Sequence, residues 1–261
     1  MEKLFIIKIG GNIIDDGIKL AAFLKDFAKV KTLKILVHGG GKLATKMAAQ
    51  LGIEQQMIDG RRITDAETLK IVTMVYAGLI NKNIVAKLQA NDCNAIGLSG
   101  ADGNVIKAHK RSHPTIDFGF VGDVDVINIS LLQSLLQQNM AVVLSPITHD
   151  GKGQLLNTNA DTIAQETAKA LSSLYDVELI YSFEKNGVLL DVNDEASVIA
   201  TLQPDYYQEL KSKQLVFAGM IPKLDNAFEA INSGVKKVII GKAEELQQLI
   251  TGEKGTAIIQ Q

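Results

Sequence analysis

Short apolar runs recur along the chain, each closed by glycine or polar residues and most followed by a stretch of helical spacing. The run Leu4-Phe5-Ile6-Ile7 continues through Lys8 to Ile9 without alternating, which predicts a strand covered on both faces and ended by Gly10 and Gly11. Asp15 or Asp16 is placed to cap the next helix, whose apolar stripe is Leu20, Phe23, Leu24 and Phe27. Residues 33–37 predict a second strand, closed by His38-Gly39-Gly40-Gly41. The helix after it presents Leu43, Met47 and Leu51 on one face and stops at Gly52. Further strands are predicted at 94–98, 141–144, 177–181, 237–240 and 256–259, with helices near 130–138, 161–174, 223–232 and 244–250. Strand followed by helix, repeated, predicts an α/β fold with an open, mainly parallel sheet and helices on both faces. No repeat or Pro/Ser-rich linker interrupts the pattern, so any two-lobe division falls inside one continuous sheet. The expected seam is 145–159, where Pro146, Gly151 and Gly153 cluster.

One helix stands apart. Thr64-Asp65-Ala66-Glu67 reads as a capping box, after which helical spacing runs from Thr64 to about Ala90, roughly 40 Å at ~1.5 Å per residue. Its apolar residues, from Leu69 through Met74 and Leu79 to Leu88, cover more than one face. Such a helix is either central to the core or buried against a second subunit, and beside a parallel sheet its length favours a symmetric dimer contact.

Composition narrows the chemistry. The 261 residues carry 27 Lys and Arg against 29 Asp and Glu, a formal net charge of −2. That balance gives no electrostatic footprint for nucleic acid or for an anionic membrane surface. The single cysteine, Cys93, excludes an intramolecular disulfide and suits a reducing, cytoplasmic compartment. No apolar stretch is expected to reach the ~20 residues of a transmembrane helix, and the start lacks a signal-peptide pattern. His38, His109, His113 and His149 have no metal-like spacing, so no protein metal site is expected. A G-x-S-x-G, a Walker motif and a G-x-G-x-x-G after the first strand are all missing, which disfavours acyl-enzyme chemistry and a nicotinamide oxidoreductase.

What remains is a kit of lysines, glycines and one carboxylate. Lys8 interrupts a buried strand at its carboxyl end, where ligands of open parallel sheets bind; it is either an edge-strand guard or the partner of an anion. Gly10-Gly11 and Gly39-Gly40-Gly41 each lie between strand and helix, where backbone N–H groups can approach a phosphate. Gly219-Met220-Ile221-Pro222-Lys223 opens a helix with a cation in its first turn, against the macrodipole, which makes sense if both face a polyanion. Asp161 either complements the dipole of its own helix or holds ammonium groups, and Arg61-Arg62 is either surface charge or a carboxylate clamp. This set suits phosphoryl transfer, which needs positioning and charge neutralisation more than a nucleophilic side chain.

Seven motifs then follow one another in a family order: Ile7-Lys8-Ile9-Gly10-Gly11, Val37-His38-Gly39-Gly40-Gly41, Gly60-Arg61-Arg62-Ile63-Thr64, Gly97-Leu98-Ser99-Gly100-Ala101-Asp102-Gly103, Gly119-Phe120-Val121-Gly122, Asn157-Thr158-Asn159-Ala160-Asp161 and Gly219 to Lys223. Over essentially its whole length the chain resembles the amino acid kinase family. The resemblance implies a three-layer αβα sandwich with an N-terminal amino-acid lobe (1–150) and a C-terminal ATP lobe (151–261). It implies ATP-dependent phosphorylation of the side-chain carboxylate of N-acetyl-L-glutamate, in arginine biosynthesis, with magnesium arriving on ATP. Carried over position by position, Lys8 and Lys223 neutralise the transferring group and Asp161 orients them. Gly10, Gly11, Gly187 and Gly219 lie on the ATP side, and Gly40, Gly41, Arg62 and Asn157 bind the substrate. The long helix becomes the contact of a homodimer. With only seven residues before Lys8, the N-terminal helix that links arginine-inhibited relatives into hexamers is not expected. Two departures stand out: residues 181–188 lack the aspartate usual in relatives, and Arg61 replaces an apolar residue. The alternatives are an N-succinyl-L-glutamate kinase, another member of the family, and a non-catalytic amino-acid sensor.

Overall fold

The computed structural model describes residues 1–58, 61–191, 193–213, 215 and 220–260. Its strands are β1 (Lys3–Ile9), β2 (Leu33–His38), β3 (Met57–Ile58), β4 (Arg61–Arg62), β5 (Ala95–Leu98), β6 (Ile106–Lys110), β7 (Gly122–Ile127), β8 (Ala141–Leu144), β9 (Ile147–His149), β10 (Leu155–Asn157), β11 (Asp176–Phe183), β12 (Thr201–Leu202), β13 (Lys237–Lys242) and β14 (Thr256–Ile258). Its α-helices are α1 (Gly11–Ile14), α2 (Gly17–Lys29), α3 (Gly41–Gln50), α4 (Ala66–Val72), α5 (Asn81–Gln89), α6 (Ile129–Gln137), α7 (Ala160–Leu171), α8 (Pro204–Ser212), α9 (Ile221–Asn232) and α10 (Leu246–Thr251).

Eight strands form the main sheet in the order β12-β14-β13-β11-β1-β2-β8-β5, and only the β13/β14 pair is antiparallel. The α/β sandwich read from the sequence is therefore the fold. β1 lies between β11 and β2, and the chain leaves it in one direction and β11 in the other, the switch point at which such sheets bind ligands. Alternation along β1 builds two cores. Leu4 and Ile6 face α6, α7, α8 and α9, while Phe5, Ile7 and Ile9 face α2, α3, α5 and α10. The α2 stripe is as expected, and Asp16 is the cap, its Oδ1 accepting from Ile18 N at 2.9 Å and Lys19 N at 3.1 Å.

Three expectations are corrected. α3 buries Ala44 and Ala48, both fully, rather than Leu43, Met47 and Leu51, and Leu51 is 57% exposed. Small residues let α3 lie close on its neighbours, and the bulky ones fall on its flanks. The cap of α4 is Asp65, accepting from Thr68 N at 2.7 Å, and Thr64 is instead a fully buried loop residue. The 145–159 stretch contains β9 and β10, which join β6 and β7 in a second sheet of order β10-β9-β6-β7. Finally, Ala66–Gln89 forms one helix of 24 residues, long and apolar enough by length and composition alone to cross a membrane. It is a core helix here: Val72, Ile84 and Leu88 are fully buried on the sheet, while Met74 and Leu79 are exposed on its outer face.

Candidate active site

The parity of β1 decides where Lys8 points. Leu4 and Ile6 face α7 and α9, and Lys8 is the next residue on that side, at the carboxyl end of the strand. Above it begins α7, whose cap Asn159 accepts from Asp161 N at 2.7 Å and so sets Asp161 in the first turn. Lys8 Nζ lies 2.7 Å from Asp161 Oδ1. The alignment falls short of a directed hydrogen bond, so charge and proximity make the pair. Burial alone would raise the Asp161 carboxyl, but Lys8 and then Lys223 hold it below its ordinary value.

Lys223 enters from the first turn of α9, which Pro222 helps to open, and its Nζ stands 4.7 Å from the centre of the Phe183 ring. Burial lowers its pKa, Asp161 opposes that shift, and Lys8 adds to it. Lys8 pairs with Asp161 directly, while Lys223 feels Asp161, and then Glu184, only by charge; Lys8, Asp161 and Lys223 together carry a net charge of +1. Such an excess in a half-buried place calls for an anion.

Beside the trio is a cleft of about 280 Å³ lined by Gly10, Gly11, Asn12, Ile13, Gly41, Lys42, Phe183 and Glu184. A Cβ at Gly10 or Gly11 would meet nothing nearer than 3.7 Å, so packing does not demand these glycines. Their missing side chains leave backbone open to the cleft. Gly40 is different. Its φ of +149° is closed to L side chains, and a Cβ there would lie 3.1 Å from the Tyr76 ring and closer still to Ile80. The Lys42 ammonium donates to Asn12 Oδ1, joining the two glycine turns.

A second pocket of about 140 Å³ is lined by Gly41, Met57, Arg61, Arg62, Arg111, Val121, Asn157, Thr158 and Asn159. Arg62 is buried, and its guanidinium donates to Gln55 Oε1, to Gly41 O at 2.9 Å and to Thr45 Oγ1 at 3.0 Å. Asn157, on β10, donates from Nδ2 to Thr64 Oγ1 at 3.0 Å. Arg111 forks onto Asp123, whose carboxyl is held below its ordinary value first by that hydrogen bond, with Arg61 contributing by charge.

The structure therefore brings together Lys8, Asp161 and Lys223, sets Gly10 and Gly11 at one cleft, and places Gly41, Arg62 and Asn157 at the adjoining pocket, with Gly40 packed on the long helix beside Gly41. Gly187 is buried in tight packing, where a Cβ would meet Thr256 Oγ1 at 2.7 Å, and does not line that cleft. Gly219, and the Gly60 of the arginine motif, lie outside the described residues. Arg61 is exposed, as alternation in β4 requires, yet it lines the Arg62 pocket. Arg111 was missed. A signal for it exists, because Lys107, His109 and Arg111 alternate opposite Asp123 and Asp125 across the β6–β7 pair.

A sequence model of the amino acid kinase family matches residues 3–242. The chain is 60% identical over 262 residues to a protein named acetylglutamate kinase from Cytophaga hutchinsonii, covering 99% of each. Among solved structures, smu.665 from Streptococcus mutans UA159 superposes with a TM-score of 0.78 at 26% identity, over 99% of both chains. Carbamate kinase from Giardia lamblia, solved with AMP-PNP, shares the fold at a TM-score of 0.69 and 16% identity, over 100% of this chain and 99% of that one.

Proposed function

The chain belongs to the amino acid kinase family, and on that premise we propose that it transfers the terminal phosphoryl group of ATP to the side-chain carboxylate of N-acetyl-L-glutamate, an acyl-phosphate-forming step of arginine biosynthesis. The observation that carries this reading is the net-positive trio of Lys8, Asp161 and Lys223 at the carboxyl end of the sheet, with a glycine-lined cleft and an arginine–asparagine pocket beside it.

A carboxylate oxygen attacks the terminal phosphorus, the phosphorus–oxygen bond to ADP breaks, and the electron pair leaves with ADP. No protein side chain has to act as nucleophile. Lys8 and Lys223 neutralise the oxygens of the transferring group, and Asp161 keeps the two ammonium groups from separating. Gly10 and Gly11 offer backbone N–H groups to the ATP phosphates, with Gly187 and Gly219 on the nucleotide side. Gly40, Gly41, Arg62 and Asn157 hold the acyl-amino acid. Magnesium is read as arriving on the phosphate oxygens of ATP. The reading includes a homodimer through the outer face of the Ala66–Gln89 helix, where Met74 and Leu79 are exposed. It also includes a cytoplasmic setting that suits the buried free thiol of Cys93. The test is ADP release across N-acetylglutamate, N-succinylglutamate, glutamate and aspartate. Release dependent on an N-acylglutamate is expected, and release with none of the four would make the protein a binding module.

A second acceptor has one observation in its favour. Arg61 and Arg111 line the same pocket as Arg62, and the single carboxylate of Asp123 cannot neutralise both. An acyl group ending in its own carboxylate, as in N-succinyl-L-glutamate, would find a guanidinium there. A charge-assisted pair contributes ~1.5–3 kcal/mol, roughly 10- to 150-fold in preference. The comparison is kcat/KM for the two acylglutamates in wild type and Arg61→Leu. An unchanged ratio removes the second reading.

A further inference from the structure

The Ala66–Gln89 helix is α-helical at both ends and π-helical from Thr73 to Ile80. Bonding from i to i+5 stacks residues five apart, so Tyr76 and Asn81 come onto one face with Ile80 between them. That face meets the His38–Gly41 turn: Tyr76 and Ile80 close on Gly40, and Asn81 reaches His38. His38 and Asn81 are both fully buried, and neither has a part in the chemistry above.

Their hydrogen bonds have only one consistent assignment. Val143 O can only accept, so the Asn81 nitrogen faces it, at 3.0 Å. The Lys82 ammonium can only donate, so Asn81 Oδ1 faces that, at 3.2 Å. The remaining Asn81 N–H donates to His38 Nε2 at 3.2 Å. Nε2 is then the acceptor, the ring proton sits on Nδ1, and Nδ1 donates to Gly39 O at 2.8 Å. Gly39 is also held from its other side, its N–H donating to Ile9 O at 3.3 Å. Gly97 leaves the space that the Asn81 amide fills. Burial pushes His38 down to about 4, so the ring stays neutral and keeps this tautomer near neutral pH.

We propose that Asn81 and His38 are positioning residues for the substrate turn: the amide fixes the ring, the ring fixes the Gly39 carbonyl, and the Gly40 N–H of the same peptide unit, next to Gly41 at the head of α3, is thereby kept in place. Gly41 opens α3, where N–H groups lack intrahelical acceptors, so the orientation of this peptide unit matters to any anion bound there. The π-helical turns serve the same end, because an uninterrupted α-helix would rotate Asn81 away from the face that carries Tyr76. The long helix is thus tied to the substrate turn by a defined chain of donors.

The assignment rests on the kinase reading above, and the test keeps the two apart. His38→Leu removes the donor to Gly39, whereas His38→Asn places an amide N–H where Nδ1–H stood. With thermal midpoints recorded beside kinetics, His38→Leu is expected to lower kcat by roughly 10- to 100-fold with a change in KM for ATP of under about threefold. His38→Asn is expected to recover most of that loss. Equal losses in the two variants at equal folded fraction would overturn the proposal. The second measurement is ¹⁵N NMR of the His38 ring in the wild-type protein, assigned by through-bond correlation. The proposal requires a neutral ring with its proton on Nδ1 at pH 7, and a proton on Nε2 would overturn it even if the variants failed to fold. Wild type inactive on every acylglutamate, with the Nδ1–H tautomer present, would count against the kinase reading alone.

Discussion

Lys8 in β1 and Lys34 in β2 each break an apolar run in the middle of the sheet, yet their ammonium groups are satisfied in different ways. Lys34 lies near the amino end of its strand and donates to Phe27 O at 2.9 Å, Ala28 O at 3.2 Å and Val30 O at 2.6 Å. These carbonyls lie at the end of α2, and Phe27 O also accepts from Val30 N at 3.2 Å, so the lysine closes a helix and is itself closed. Lys8 has one carboxylate, and that carboxylate also serves Lys223. Burial lowers the pKa of both Lys34 and Lys223, so a depressed lysine does not by itself mark function. What separates the two regions is saturation. Three carbonyl dipoles leave Lys34 with nothing to offer a ligand, while Lys223 has no direct carboxylate partner and feels Asp161 and Glu184 only by charge.

The largest expected effect is on turnover. Lys223→Met should lower kcat by ~10²-fold or more, because it removes charge from the developing transition state. Asp161→Asn should be as severe, since it leaves two ammonium groups without their organiser. Substrate affinity should change less than kcat in both, which initial-rate kinetics would separate. Near-normal turnover in either variant would place the trio with Lys34 as a structural feature.

Lys34→Met should do the reverse. It strands buried carbonyls at the end of α2, and a loss of ~1–3 kcal/mol in unfolding free energy is expected by urea titration. Activity per folded molecule should stay at the wild-type level. A kcat that fell with stability unchanged would erase the contrast between the two lysines.

A smaller effect distinguishes them by pH. The Asp161 carboxyl is held below its ordinary value, so the unfolded chain takes up that proton first as pH falls. Its stabilising contribution is therefore present above the unfolded value of 3.8 and is lost as pH drops through the lower, folded value. The stability gap between wild type and Asp161→Asn should narrow below about pH 3.8, whereas Lys34→Met, whose ammonium is bonded to carbonyls, should run parallel to wild type across that range. A gap for Asp161→Asn that stayed constant with pH would mean that the carboxylate is not held by charge.

Much of this was legible in the chain because the relevant rules are local. A charge inside a continuous apolar run, glycines between strand and helix, and a lysine in a helical first turn each violate a local preference, and each belongs to Lys8, Gly10-Gly11 or Lys223. Lys34 breaks the same rule for a structural reason, and only its three carbonyl partners reveal this. Asp161 was weak from sequence because a first-turn carboxylate has an ordinary use. Arg111 and the β6–β7 and β9–β10 strands were hidden for another reason. Those strands are short, β6 and β7 carry charge on one face and β9 and β10 have three residues each, so they give little apolar signal; the β6–β9 joint links segments far apart in the chain. The rotated face of α3 shows the limit of reading bulk as burial, since Ala44 and Ala48 are the residues inside.

The most direct measurement compares Lys8→Met with Lys34→Met under saturating ATP and acylglutamate, with thermal midpoints taken on the same preparations. The account predicts that Lys8→Met loses ~10²-fold or more in kcat per folded molecule, while Lys34→Met loses stability and keeps its kcat per folded molecule. Lys8→Met turning over at close to the wild-type rate would contradict the claim that an unmet positive charge on β1 is what this fold is built to present.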